Sequence, residues 1–194
     1  MNLREQIQQQ FEESSNILNE FQTEENFIKI EEAVLMMANA LQKGNKIISC
    51  GNGGSMCDAM HFAEELSGRF RDNRKGLAAV SISDPSHITC VGNDYGFDYI
   101  FSRYLEALGQ EGDILLGIST SGNSKNVILA VEKAKELGIK TIVLTGKSGG
   151  KLADLAELEI RAPFSQYADR AQEIHIKIIH NLILGIEQEI LNHI

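Results

Sequence analysis

Proline is almost missing from this 194-residue chain, which has only Pro85 and Pro163. No Ser/Gly-rich or low-complexity tract accompanies them, so nothing marks a flexible boundary, and the length suits one well-filled core rather than two. One domain is expected over residues 1–194. Cysteine is scarce as well: Cys50, Cys57 and Cys90 form no CxxC pair, and an odd number does not read as a disulfide framework, so three reduced thiols are expected. Long apolar runs are absent, and the opening MNLREQIQQQ lacks the apolar centre of a signal peptide, which points to a cytoplasmic protein without membrane contact. Positive charge is in deficit too. The chain has 18 Lys and Arg against 27 Asp and Glu, a net charge of -9, which argues against nucleic acid or an anionic membrane as partner. A phosphorylated small molecule stays open, but it must be held by something other than surplus cations.

What is present begins with two helical patterns. Leu3, Ile7, Phe11, Leu18 and Phe21 fall on one stripe, and a second stripe of Phe27, Ile30, Val34, Met37 and Leu41 follows a start signal at Thr23-Glu24-Glu25 and stops at Gly44. Residues 1–43 thus read as N-terminal helices. An amphipathic helix ahead of an α/β core has to bury its stripe on something, and another subunit is a natural candidate.

From residue 45 to 194 the pattern becomes that of an α/β core ending in a long helix. The runs at Lys46–Cys50, Leu77–Ile82, Asp113–Ile118, Lys140–Leu144 and Glu157–Arg161 lack polar alternation and are separated by helical stretches. That spacing predicts a five-stranded parallel sheet covered on both faces. The last helix is expected from about Gln166 to Asn192. In such sheets ligands sit beyond the carboxyl ends of the strands, so the loops there hold the interest.

After the first run comes Gly51-Asn52-Gly53-Gly54-Ser55, opening a helix expected to reach Phe70. Its glycines let backbone N–H groups approach an anion, and the helix N-terminus adds partial positive charge, although Ser55 could equally be a simple cap. A dinucleotide fingerprint fails because Met56 occupies the third glycine position. After the third run stands Ser119-Thr120-Ser121-Gly122-Asn123-Ser124, whose hydroxyls and helix dipole can bind a phosphate monoester without a cation. Gly146-Lys147-Ser148 is not a P-loop, since Thr141 stands where the leading glycine belongs; Lys147 reads as a solvated cation.

His61 and Glu65 are four apart, about 40° around a helix axis, a spacing that serves a metal pair, an acid/base pair or an ordinary surface pair. Glu64 is their neighbour, and spacing does not say which carboxylate enters a site. On the last helix Gln172, Glu173, His175 and His180 are the polar candidates, with Glu173 and His180 best aligned. His180 lies in an apolar stretch and could be a satisfied core histidine. His87 and His193 have less to recommend them, while Asp94 and Asp169 could bond sugar hydroxyls or cap helices.

CGNGGS, ISTSGNS, VGND at Val91–Asp94, and QEIH followed by His180 together resemble the sugar isomerase (SIS) domain family. HFAEEL, LTGKSGG and YADRAQEIHIKIIH narrow the resemblance to the phosphoheptose isomerases within it, across nearly the whole chain. The resemblance implies a flavodoxin-like three-layer α/β sandwich, a homotetramer, and isomerisation of D-sedoheptulose 7-phosphate to D-glycero-D-manno-heptose 7-phosphate on the route to ADP-heptose. It implies phosphate binding by Ser55, Ser119, Thr120, Ser121 and Ser124, and a sugar pocket of Asn52, Gly53, Gly54, Asn93, Asp94, Asp169 and Gln172. It further implies Glu65 and His180 as the catalytic pair, and one zinc per subunit on His61, Glu65, Gln172 and His180, with Met56 where some relatives carry His. The alternative is a non-catalytic SIS-domain protein of the kind that associates with a replication initiator; such proteins lack the acid/base pair that is present here.

Overall fold

The computed structural model describes residues 1–191; His193 and the expected helix end at Asn192 lie outside them. Helix α1 spans Leu3–Phe21 and is opened by a reciprocal cap in which the Glu5 N–H donates to Asn2 Oδ1 and the Asn2 N–H donates to Glu5 Oε2. Helix α2 spans Glu24–Gln42, capped by Thr23 as its start signal predicts, and Gly44 in the left-handed region (φ 86°) ends it. On the first stripe only Phe21 is fully buried, while Leu3, Ile7 and Phe11 stay exposed. Phe27, expected to face inward, is 50% exposed because it lines an open groove of about 690 Å³ between α1, α2 and the last helix.

The five strands are β1 (Ile47–Gly51), β2 (Ala79–Ser81), β3 (Ile114–Ser119), β4 (Lys140–Thr145) and β5 (Leu158–Arg161). They pair in the order β2-β1-β3-β4-β5, all parallel. The central strands β1, β3 and β4 are buried on both faces, as uninterrupted apolar runs dictate, whereas the edge strands β2 and β5, expected to be covered likewise, are only partly buried because each has a neighbour on one side alone. Alternate residues feed two cores. Ile47, Ile114, Leu116 and Ile142 pack with α2, α3 (Gly54–Ser67) and α8 (Ala168–Leu191). Ile48, Leu115 and Val143 pack on the other face with α4 (Pro85–Asp94), α5 (Ile100–Leu108), α6 (Lys125–Glu136) and α7 (Gly150–Leu155). Fully buried side chains such as Phe62 and Phe101 each contribute about 1.5–3 kcal/mol of apolar transfer, so these two layers hold the sheet in place.

The chain leaves β1 for β2 on one side and returns to β3 on the other. The carboxyl ends of β1 and β3 are therefore adjacent, Gly51 pairing with Ile118, and they flank the crevice where open α/β sheets bind ligands. The glycine and hydroxyl loops both start there. Helix α3 ends at Ser67 rather than Phe70, as the Gly68 N–H closes its last turn on the Glu64 carbonyl.

Candidate active site

One half of the site is an anion cradle. Gly53, with φ 55° and ψ -122°, is the N-cap of α3 and has no side chain to offer; Ser55 is not the cap but lies buried inside the first turn. Ser124 is the N-cap of α6, yet its Oγ is 2.8 Å from Ser119 Oγ and leaves its own helix uncapped. Two helix N-termini thus open toward the same crevice without side-chain caps, where an anion is favoured. Asn52 and Asn126 tie them together by reciprocal amide bonds of 2.9 and 2.8 Å.

The hydroxyl loop is supported from behind. Gly122 has φ 65°, and a Cβ there would overlap the Gly149 carbonyl, so glycine is required both by conformation and by contact. A Cβ on Gly146 would press on the Thr120 carbonyl and Ala171, which shows how closely the end of β4, the hydroxyl loop and α8 approach. The Ser121 hydroxyl accepts the Asn123 N–H at 3.1 Å, and the Lys151 N–H donates to Asn123 Oδ1. Lys147 stays exposed, as expected.

The other half lies between α3 and α8. His61 Nδ1–H donates to Glu64 Oε1 at 3.1 Å, since a carboxylate can only accept. His61 Nε2 faces His180 Nε2 at 3.0 Å and Glu65 Oε1 at 3.7 Å. The His180 ring also packs on Phe70, with centroids 5.7 Å apart. Burial, reinforced by His61, holds the His180 imidazole below its ordinary pKa against the opposing pull of Glu65. This resolves the ambiguity between the two carboxylates: Glu64 orients His61 from its outer nitrogen, and Glu65 enters the cluster.

This group suits a divalent metal. Two nitrogens bound tetrahedrally at about 2.0–2.1 Å sit roughly 3.3 Å apart, close to the separation of the facing imidazoles, and His61 already has its outer N–H bonded to a carboxylate. His61, Glu64 and Glu65 offer ligand atoms within 4.8 Å of one another. Gln172 is two turns from His180 along α8, roughly 12 Å along the axis. Its amide lies against Gly54, at the cradle end.

Asn93 and Asp94 sit exposed at the end of α4, with the Asn93 amide donating to Asp94 Oδ1 at 2.7 Å; the N-cap of that helix is Asp84. Asp169 is exposed in the first turn of α8. Glu173, best aligned with His180 by angle, is taken instead by Arg170 and by Ser14 of α1. The core histidine is His175, not His180. It is fully buried, its Nε2–H donates to the Thr145 carbonyl at 2.8 Å, and burial pushes its pKa down to about 4. His87 is likewise structural, bonded to the Ile100 carbonyl. Sequence reasoning passed over Asp58, whose Oδ2 is buried without a partner and whose carboxyl burial pushes up to about 6. Its i, i+3, i+7 spacing with His61 and Glu65 was the available signal.

The sequence profile of the SIS domain matches residues 9–146. A phosphoheptose isomerase from Tolumonas auensis is 58% identical over 188 residues, spanning 96% of this chain and 98% of that protein. The chain belongs to the SIS domain family, among its phosphoheptose isomerases. A second member, from Haemophilus ducreyi, is 58% identical over 95% of the chain and 96% of its own length. Among solved structures of the family, the phosphoheptose isomerase from Neisseria gonorrhoeae superposes with a TM-score of 0.88 at 41% identity, covering 96% of this chain and all of that one. The enzyme from Francisella tularensis gives 0.89 at 39% identity, over 97% of this chain. Membership agrees with the flavodoxin-like topology expected from the motifs, and among the described residues no helix is long and apolar enough to cross a membrane.

Proposed function

We propose that this chain isomerises D-sedoheptulose 7-phosphate to D-glycero-D-manno-heptose 7-phosphate, as both anomers, the first step toward ADP-heptose for the lipopolysaccharide core. The observation that carries the reading is a His61–Glu65–His180 cluster at one end of the β1/β3 crevice with an uncapped pair of helix N-termini at the other, in a chain 58% identical to phosphoheptose isomerases. The cradle, with Ser55, Ser119, Thr120, Ser121 and Ser124, takes the phosphate by N–H and O–H donors alone. Asn52, Gly53, Gly54, Asn93, Asp94, Asp169 and Gln172 line the sugar.

Ketose and aldose differ by a proton moved between C1 and C2 through an enediol. Glu65 takes the C1 proton, the C–H electrons become the C1–C2 double bond, and the carbonyl oxygen takes a proton from His180 Nε2. Return of the carbon proton to C2, with loss of the O1 proton to His180, gives the aldehyde. An imidazole held below its ordinary pKa by burial suits this role, because it can both give and accept a proton within one turnover. Zinc held by His61, Glu65 and His180 would polarise the substrate oxygens, while Gln172, whose amide lies against Gly54 at the cradle end, stands apart from that ligand set. A carboxylate bound tightly to a dication loses basicity, so Glu65 serves as base only when free or weakly held.

The exposed Leu3, Ile7 and Phe11 support a homotetramer built on the terminal helices, with residues 1–194 as one cytoplasmic domain that completes its apolar faces on other copies. The presence of both Glu65 and His180 argues against a non-catalytic binding role. Glu65→Gln tests the assignment: turnover falls at least about a hundredfold in a folded protein, whereas near-normal turnover would refute Glu65 as base.

A further inference from the structure

The loop after α3 reads as a solvated basic stretch, Gly68-Arg69-Phe70-Arg71-Asp72-Asn73-Arg74-Lys75, but one of its cations is buried. The Arg74 side chain is only 7% exposed. Its Nη2 donates to the Glu65 carbonyl at 2.7 Å, and its Nη1 to the carbonyls of Leu66, Gly68 and Lys75 at 2.7, 3.0 and 3.3 Å. Its Nε–H donates to Glu187 Oε1 at 2.7 Å, and the Glu187 side chain is 9% exposed.

Each of these bonds falls at a mechanically informative place. The Glu65 and Leu66 carbonyls belong to the last turn of α3, where no further intrahelical N–H is available and a cation is favoured. One of them belongs to the residue that carries the carboxylate of the site. Glu187 follows His180 by seven residues, so it lies within about 20° of it around α8, roughly 10 Å along the axis. The bond to Gly68 holds the segment that lays Phe70 on the His180 ring. One planar guanidinium therefore fastens the Glu65 backbone to the face of α8 that presents His180. A lysine, with a single point charge, lacks the fork needed to reach both helices.

We propose that Arg74, anchored by Glu187, is a positioning residue for the Glu65–His180 pair. The proposal rests on the isomerase reading above. Arg74 has no role in binding the phosphate, which the β1/β3 cradle holds, so its effect falls on the chemical step and leaves binding intact.

The test compares wild type with Arg74→Lys, Glu187→Asp and Glu187→Gln, measuring kcat and KM on sedoheptulose 7-phosphate. Calorimetric titration of the same preparations with a heptitol 7-phosphate, which has no carbonyl to isomerise, counts intact sites. A displacement of about an ångström in a reacting group costs up to about a hundredfold, so kcat of Arg74→Lys falls about 10- to 100-fold while KM and heptitol affinity stay within about threefold, with one site per subunit. Glu187→Asp keeps the charge but withdraws the acceptor, and lowers kcat in the same sense, which preserves the test if Arg74→Lys does not fold. Glu187→Gln keeps length and acceptor oxygen and holds kcat within about threefold. Unchanged kcat in Arg74→Lys overturns the proposal, and so does a fall matched by an equal loss of heptitol sites, the mark of a merely structural residue. Wild type that binds the heptitol but turns over no sedoheptulose 7-phosphate overturns the isomerase reading, and this proposal with it.

Discussion

Replacing His175 by Gln should flatten the acid side of the stability curve. His175 is fully buried, bonded through Nε2 to the Thr145 carbonyl, and its Nδ1 has no partner among the described residues, so the folded protein has nothing to offer an imidazolium. Its pKa is about 4 in the fold against 6.5 when unfolded. With a depressed folded value, the full stability is present above pH 6.5 and is lost as pH falls toward 4, because the unfolded chain takes up a proton that the folded one refuses. From pH 7 to pH 5 the loss is about 2 kcal/mol, rising to about 3 kcal/mol near pH 4. Asp58 works in the opposite direction: burial raises its carboxyl to about 6, so its unfavourable charge in the fold is relieved on acidification. Both chains share Asp58, and the difference between them isolates His175. Gln can still donate to Thr145 but does not titrate. Paired thermal melts at fixed protein concentration should therefore show the gap between the two chains shifting by about 4–8 °C between pH 7 and pH 5, at 2–4 °C per kcal/mol for a chain of this size. Parallel curves would refute the reasoning and mean that His175 is hydrated or paired in solution.

His180→Gln should lower kcat by about 10²–10⁴ while leaving inhibition by inorganic phosphate unchanged, as steady-state kinetics would show. Gly122→Ala places a Cβ in the left-handed region against the Gly149 carbonyl, which is backbone and cannot move aside, so a loss of about 1–3 kcal/mol in urea melts and a raised KM are expected. Gly54→Ala meets only the flexible end of Gln172, and should leave stability within about 1 kcal/mol while raising KM by displacing that amide. Chelation should leave the protein folded and partly active, with elemental analysis finding substoichiometric zinc beforehand; no metal in any preparation would count against the site.

The sheet could be read from the sequence because its central strands β1, β3 and β4 are buried on both faces, so their apolar runs end where small polar residues begin, and all five strands are found within a few residues of their expected bounds. The glycine and hydroxyl loops were legible for the same reason, since their place depends only on strand ends. Side-chain partners across elements were not. His175 and His180 occupy the same apolar stretch, and only the position of β4 decides that the first is enclosed and the second meets His61. Ser55 resembles a cap, yet the left-handed turn at Gly53 starts α3 earlier. Arg74 was invisible beside the three neighbouring cations Arg69, Arg71 and Lys75, because its burial depends on Glu187, 113 residues away. Glu187 could have been noticed as an acid seven residues beyond His180 on the same helical face.

The most direct measurement is proton NMR of sedoheptulose 7-phosphate incubated with the protein in deuterated water. The account predicts new anomeric signals of an aldoheptose 7-phosphate, with deuterium entering C2 wherever the enediol exchanges its proton with solvent before closing, and loss of these signals in Glu65→Gln. A ketose that remains unchanged with the wild-type protein, zinc supplied, would contradict it.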